Sequence, residues 1–386
     1  MTRRSFCSLS LAAAGFGQST QSGRKILIVL MDGFGMEYLE ASDMPNLKRL
    51  GKAGGLKAGS SVIPSVTNVN NASVVTGSFP SEHGITTNYH YNRRTKSASE
   101  MESAEFLLKP TIFERAKALG LRTALVSSKD KVKTLCSRGC DIVVSAEKPE
   151  PAWIQQVGPK EGMYSADVNY WTFRAARQIL KTESVDLMYL STTDYMMHTY
   201  APKEGPSLEH LHRIDKLLAD MVDDHPRIEL YLTADHAMNA KREGLNPALI
   251  LRAQSIQSEA IPIIRDAHKT HHNNLGGACY VYLERIGDKA KAIEILTQTE
   301  GIEEVFDAKR AASEFHLHPD RIGDIFLLAK KDFVFGELKN NREPVKVRSH
   351  GSRHESKIPL LVYGTKVDMD KYAYNLDLTR RLVLRH

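Results

Sequence analysis

No apolar run in this 386-residue chain approaches the roughly 20 residues that a helix needs to cross a bilayer, so the mature protein is read as soluble, without a stable membrane span. Glycine and proline, at 25 and 15 residues, are too few for a collagenous or low-complexity chain, and there is no internal repeat. Long blocks of one charge are also missing. The formal net charge of +6 is spread over Lys and Arg interleaved with Asp and Glu, which argues against nucleic acid and for a small anionic ligand. Of four cysteines, Cys136 and Cys140 bracket Ser-Arg-Gly and have no Cys or His partner nearby; a disulfide in an oxidising compartment and two free thiols both stay open. What is present is 42% hydrophobic and 25% charged, a globular composition with a sizeable core in one large domain or two.

Residues 1–22 stand apart. In MTRRSFCSLSLAAAGFGQST, Arg3-Arg4 precede a mildly apolar stretch, Leu9 to Phe16, and then polar residues before Lys25. The segment resembles a twin-arginine export signal and implies a periplasmic or secreted protein; a basic tail on a cytoplasmic protein is the alternative. Cys7 lies in no lipoprotein box.

Beyond it, short continuous apolar runs read as buried strands: Lys25 to Met31, Arg122 to Val126, Val185 to Leu190, Ile228 to Leu232 and Pro359 to Val362. Helical patterns fall between them at Met44 to Ala53, Ile112 to Leu119, Asn169 to Thr182 and Leu208 to Asp223. Runs apolar on both faces suit a mostly parallel sheet covered by helices, so the fold class is α/β.

Ligands of such sheets bind beyond the carboxyl ends of the strands. Asp32 follows the first run, Lys129 the second, Asp194 the third and Asp235-His236 the fourth. Asp194 and His198 are four apart and share a face if Tyr195 to His198 form a helical turn. His350 sits in a Ser/Gly-rich loop before the last run. Three Asp and three His converging on one rim describe two adjacent divalent metal sites, with zinc the expected occupant and manganese or iron compatible with the same donors. In PSVTNVNNASVVTG, a helix starting near Asn70 turns its free N–H groups toward Thr67, whose hydroxyl a metal and a helix N-terminus would activate as a nucleophile.

The order Asp32-Gly33, Thr67-Asn68, Pro80 to Gly84, Asp194-x-x-x-His198, Thr233-Ala-Asp235-His236 and Ser349-His350-Gly351 resembles the alkaline phosphatase superfamily, in its nucleotide pyrophosphatase/phosphodiesterase branch. The resemblance implies one metal held by Asp32, Thr67, Asp235 and His236 and a second held by Asp194, His198 and His350, with Thr67 as nucleophile and Asn88 and His198 meeting the substrate. Within the branch, TNVNNASVVTG, GITTNYHYN, SSKDKVKTL, STTDYMMHTYAP and TADHAMNAK are similar to segments of the phosphonoacetate hydrolases. That resemblance implies cleavage of a carbon–phosphorus bond, with Lys129 and Lys131 taking the substrate carboxylate.

The resemblance also implies a core of residues 23–246 and 345–386, carrying a smaller α+β cap insertion at 247–344. His271-His272 lie in that cap and are read as ordinary loop histidines. A small phosphonate or phosphate ester is the expected partner, and a homodimer stays open. Two other functions also stay open: hydrolysis of phosphodiesters or phosphomonoesters, and binding of phosphonates without catalysis.

Overall fold

The computed structural model describes residues 23–265 and 273–385, so the Arg3-Arg4 segment and His271-His272 lie outside the described residues. Seven strands form the central sheet, in the order Gly55–Ser60, Lys357–Tyr363, Ile228–Thr233, Lys25–Leu30, Leu187–Ser191, Thr123–Ser127 and Ile142–Ser145. The last five in that order run parallel, with Ile28 opposite Tyr231 on one side and Tyr189 on the other. Lys357–Tyr363 is antiparallel to both neighbours, although its sequence is as continuously apolar as the parallel strands. Apolar content reports that both faces are covered; direction depends on how the chain arrives.

Two groups of helices cover the sheet. Pro45–Ala53, Asp167–Thr182 and Gly205–Asp223 pack on one another, as do Thr67–Thr76, Asp130–Cys136 and Asp377–Arg380. In Asp167–Thr182 the buried residues Val168, Trp171, Ala175 and Ile179 recur at the three- and four-residue spacing of one helix face. Thr67–Thr76 departs from this pattern, since all ten of its residues are buried.

Residues 258–329 hold a second, antiparallel sheet of four strands, Ser258–Pro262, Ala278–Leu283, Ile325–Ala329 and Ile302–Asp307, with helices Lys289–Gln298 and Ala308–Phe315. It has its own apolar cluster, including Leu251, Val281, Leu327 and Phe335. A three-stranded sheet of Phe333–Phe335, Asn239–Leu245 and Arg342–Ser349 leads the chain back to the core. Among the described residues, no helix is long and apolar enough to cross a membrane.

Candidate metal centre and active site

Four of the five parallel strands deliver a charged residue of the site two or three positions past their carboxyl ends. Asp32 lies two residues past Lys25–Leu30, and its backbone N–H donates to Thr192 Oγ1 at 2.9 Å. The turn continues through Gly33, whose φ of +73° favours glycine and whose N–H donates to Asp235 Oδ1 at 3.1 Å. A Cβ there would stand 2.9 Å from Asp194 Cβ, so the two turns can approach only because the residue is glycine. Asp194 precedes the turn Tyr195–Thr199, and His198 N–H donates to its carbonyl at 3.0 Å, the helical turn its spacing requires.

The acids and imidazoles come together. Asp32, Asp235 and His236 each place a ligand atom within 4.8 Å of the others, and so do Asp194, His236 and His350. His236 Nε2 is 3.3 Å from Asp32 Oδ1 and 3.5 Å from Asp235 Oδ2, and it belongs to both groups. His198 Nε2 lies 2.9 Å from Asp194 Oδ2, and His350 Nε2 lies 3.8 Å from the same oxygen. His236 and His350 stack with centroids 3.4 Å apart. The six Asp and His residues that the sequence assigns to metals therefore share one buried cluster, with His236 standing between the two halves.

Three observations fit this cluster to divalent cations. The Nδ1 of His198, His236 and His350 each meets a backbone carbonyl, of Arg348 at 2.7 Å, Ala237 at 3.0 Å and Ser65 at 2.8 Å. A carbonyl only accepts, so Nδ1 carries the hydrogen and Nε2 is turned to the acids, the usual arrangement of a ligating imidazole. Asp32 Oδ1, Asp235 Oδ2 and His236 Nε2 are buried and have no hydrogen-bond partner among the described residues. Three acceptors facing one another in a dry site are costly without a cation. Finally, burial and the neighbouring acids push Asp235 up to about 6 and Asp32 up to about 8, while burial holds His236 and His350 below the ordinary imidazole range. The acids crowd against their own charge, and both imidazoles are neutral donors at pH 7.

Lys129 behaves differently from the sequence expectation. Its buried ammonium lies 2.6 Å from Asp32 Oδ2 and 2.7 Å from Asp194 Oδ1, committed to the acid cluster. Burial alone would lower its pKa; attraction to Asp194 and Asp32 exceeds that, and the pKa is raised. Lys131, in the first turn of Asp130–Cys136, is buried as well.

Thr67 is the first residue of the helix Thr67–Thr76, three positions earlier than the Asn70 start expected from the sequence. It therefore sits in the turn whose N–H groups lack intrahelical partners. The asparagines around it turn out to be scaffolding. Asn70 takes the N–H of Val62 and the amide of Asn375, and donates to the carbonyls of Val62, Pro64 and Val66. Asn71 donates to Thr67 O at 3.0 Å and accepts from Tyr189 Oη at 2.7 Å, tying the helix start to a central strand. Asn88 Oδ1 accepts the N–H of Asn68, the residue after Thr67, at 3.2 Å, which fixes its amide. The loop carrying Asn88 is held from the second layer, since Tyr280 Oη donates to Thr86 O at 3.0 Å and Thr86 Oγ1 donates to Arg321 O at 2.7 Å. Asn375, Tyr280 and Arg321 carry no motif in the sequence, because residues that serve backbone groups have no fixed spacing from the site.

Residues 26–353 match the model of the type I phosphodiesterase / nucleotide pyrophosphatase family. The chain belongs to that family. Its members are metal-dependent hydrolases, and the protein is accordingly a hydrolase with an alkaline phosphatase-like fold. Among solved structures, it is similar to a phosphonoacetate hydrolase from Sinorhizobium meliloti 1021 in complex with phosphonoacetate, at 30% identity and a TM-score of 0.85, covering 93% of this chain and 94% of that one. Murine ectonucleotide pyrophosphatase/phosphodiesterase 5 shares the fold at 16% identity and a TM-score of 0.68, over 92% of this chain and 93% of that one. Among curated relatives, the venom phosphodiesterase of Naja atra is 28% identical over 247 residues, 60% of this chain and 28% of that protein. Human ectonucleotide pyrophosphatase/phosphodiesterase family member 1 is 26% identical over 232 residues, 55% of this chain and 23% of that protein. The chain thus spans about a quarter of the length of these two curated relatives.

Proposed function

We propose that the protein hydrolyses phosphonoacetate to acetate and phosphate. The observation that carries this reading is the buried Lys129 at the acid cluster, with Lys131 buried two residues further on, in a chain similar over 93% of its length to a phosphonoacetate hydrolase. Phosphonoacetate presents a phosphonate at one end and a carboxylate at the other, and a site that takes it needs separate cationic groups for each. Two divalent ions, zinc in this reading, would be held by Asp32, Thr67, Asp235 and His236 and by Asp194, His198 and His350. They would supply Lewis-acid neutralisation of the phosphonate charge.

The residues of the chain supply the rest. Thr67 Oγ attacks phosphorus, the P–O bond forms as the P–C bond breaks, and the electron pair leaves on the methylene carbon. That carbon takes up a proton to give acetate, and the hydroxyl proton of Thr67 balances it. Water then cleaves the threonine phosphate, restoring Thr67 and releasing phosphate. Asn88 Nδ2 donates to a phosphoryl oxygen, and Lys129 and Lys131 hold the carboxylate and stabilise the enolate-like charge as it develops. In this reading Lys129 serves both roles: it meets Asp32 Oδ2 and Asp194 Oδ1, while the other oxygens of the two acids, Asp32 Oδ1 and Asp194 Oδ2, face the imidazoles.

The 247–344 insertion acts as a cap in the same proposal, and Arg3-Arg4 as an export signal that delivers the protein beyond the cytoplasm. A second reading, phosphodiester hydrolysis, is favoured by the likeness to venom phosphodiesterases. Phosphate release from phosphonoacetate, an aryl phosphodiester and an aryl phosphomonoester separates them. The proposal expects the highest kcat/KM on phosphonoacetate; faster cleavage of the diester, with phosphonoacetate intact, would replace it with the second reading.

A further inference from the structure

We propose that Arg348 is a positioning residue that locks together the segments carrying the ligands of both ions, an inference that rests on the two-ion reading above. Arg348 lies two residues before His350, near the end of the strand Arg342–Ser349. Its Nε donates to Met197 O at 2.7 Å, and its Nη2 donates to Met238 O at 3.1 Å and to Tyr38 Oη at 2.9 Å. Met197 lies in the turn between Asp194 and His198, and Met238 lies two residues past His236. The backbone carbonyl of Arg348 accepts Nδ1–H of His198 at 2.7 Å. One residue thus grips the backbone of the turn that carries Asp194 and His198 and of the turn that carries Asp235 and His236, orients one imidazole, and leads directly into the third.

The geometry needs a guanidinium. Two carbonyls on different segments are met by different nitrogens of one planar fork, whose directions are fixed relative to each other; an ammonium is a compact charge on a flexible stem and lacks the length and planarity of that fork. Tyr38 braces the arrangement, since its hydroxyl accepts from Arg348 and donates to Tyr200 O at 2.8 Å, just past the His198 turn. Arg348 meets the backbone of the segments that carry the ligands. Its effect is on where the ligands stand, and partners of this outer kind typically change metal affinity about 10- to 100-fold.

The test compares the wild-type protein with Arg348→Lys, Arg348→Gln and Tyr38→Phe. Each is stripped by chelation and titrated with Co2+, with thermal unfolding recorded before and after saturation. The wild type is expected to take two Co2+ per chain. Both Arg348 variants should bind Co2+ about 10- to 100-fold more weakly, with a smaller Co2+-induced rise in Tm and no rescue by lysine. A lower Tm of the metal-free protein with unchanged Co2+ affinity and an unchanged rise would overturn the proposal, since it would make Arg348 a stability residue only. If the Arg348 variants do not fold, Tyr38→Phe decides: affinity weakened about threefold supports the proposal, and unchanged affinity overturns it. A wild type that takes fewer than two Co2+ overturns the two-ion reading itself, and the Arg348 proposal with it.

Discussion

In the proposed reaction, Thr67 and the lysines carry the distinctive chemistry at the scale of single residues. Thr67→Ala removes the nucleophile but leaves six Asp and His donors in place. Turnover is therefore expected to fall by about three orders of magnitude or more, while metal content measured on the same preparation stays near that of the wild type. Lys131→Ala should act on one substrate class only. It removes a cation needed by a carboxylate-bearing leaving group, so kcat/KM for phosphonoacetate should drop about 100-fold, while slow cleavage of an aryl phosphate ester, which has no carboxylate, changes little. Equal losses on both would mean that Lys131 supports the site rather than the substrate. Asp32, Asp194 and Asp235-His236 were legible from the sequence because each follows an apolar run, and His198 through its spacing from Asp194, whereas His350 stands in a Ser/Gly-rich loop before the last run. The commitment of Lys129 to Asp32 and Asp194 was not, since Lys-Asp-Lys also reads as a substrate-facing turn, and only the packed distances decide which charge the ammonium meets.

Elements show the same division between pattern and packing. Five of the seven central strands were legible as apolar runs, but Gly55–Ser60, Ile142–Ser145 and the direction of Lys357–Tyr363 were not, and neither was the helix start at Thr67, because Val66 at the cap offers no side-chain hydrogen bond as a signal. What holds that helix start is Asn70, buried and bonded to Val62, Pro64, Val66 and Asn375. Asn70→Ala would strand several of these groups without partners, and urea unfolding should show a loss of about 2–3 kcal/mol. A loss under about 0.5 kcal/mol would mean that water replaces the side chain. The loop after His350 has a comparable anchor. Glu355 and Lys241 are both buried and meet at 2.8 Å, and the Glu355 carboxylate also takes Ser352 N–H at 3.0 Å and Asn239 Nδ2 at 2.8 Å. Burial alone would raise the pKa of Glu355; Lys241 and these donors exceed it, and the folded pKa is depressed. A depressed carboxylate contributes stability that is present above its unfolded value, about 4.3, and is lost as pH falls through the folded one. Between pH 5 and 2, Glu355→Gln should therefore lose stability less steeply than the wild type, a difference that thermal melts at stepped pH will read.

On the scale of the whole molecule, one rim of a parallel sheet gathers five acids and imidazoles from distant parts of the chain, and the antiparallel return through Arg342–Ser349 adds His350. The second layer reaches the same rim through Tyr280 and Arg321, which hold the loop of Asn88. The central claim is that this assembly is a two-ion enzyme acting on phosphonoacetate. Its most direct test is to strip the purified protein with chelator, restore Zn2+ stepwise, and follow acetate and phosphate released from phosphonoacetate. The account predicts negligible release from the stripped protein, a rise that saturates near two Zn2+ per chain, and acetate and phosphate in equal amounts. Undiminished release from the stripped protein, or no release at any loading while an aryl phosphodiester is cleaved, would contradict it.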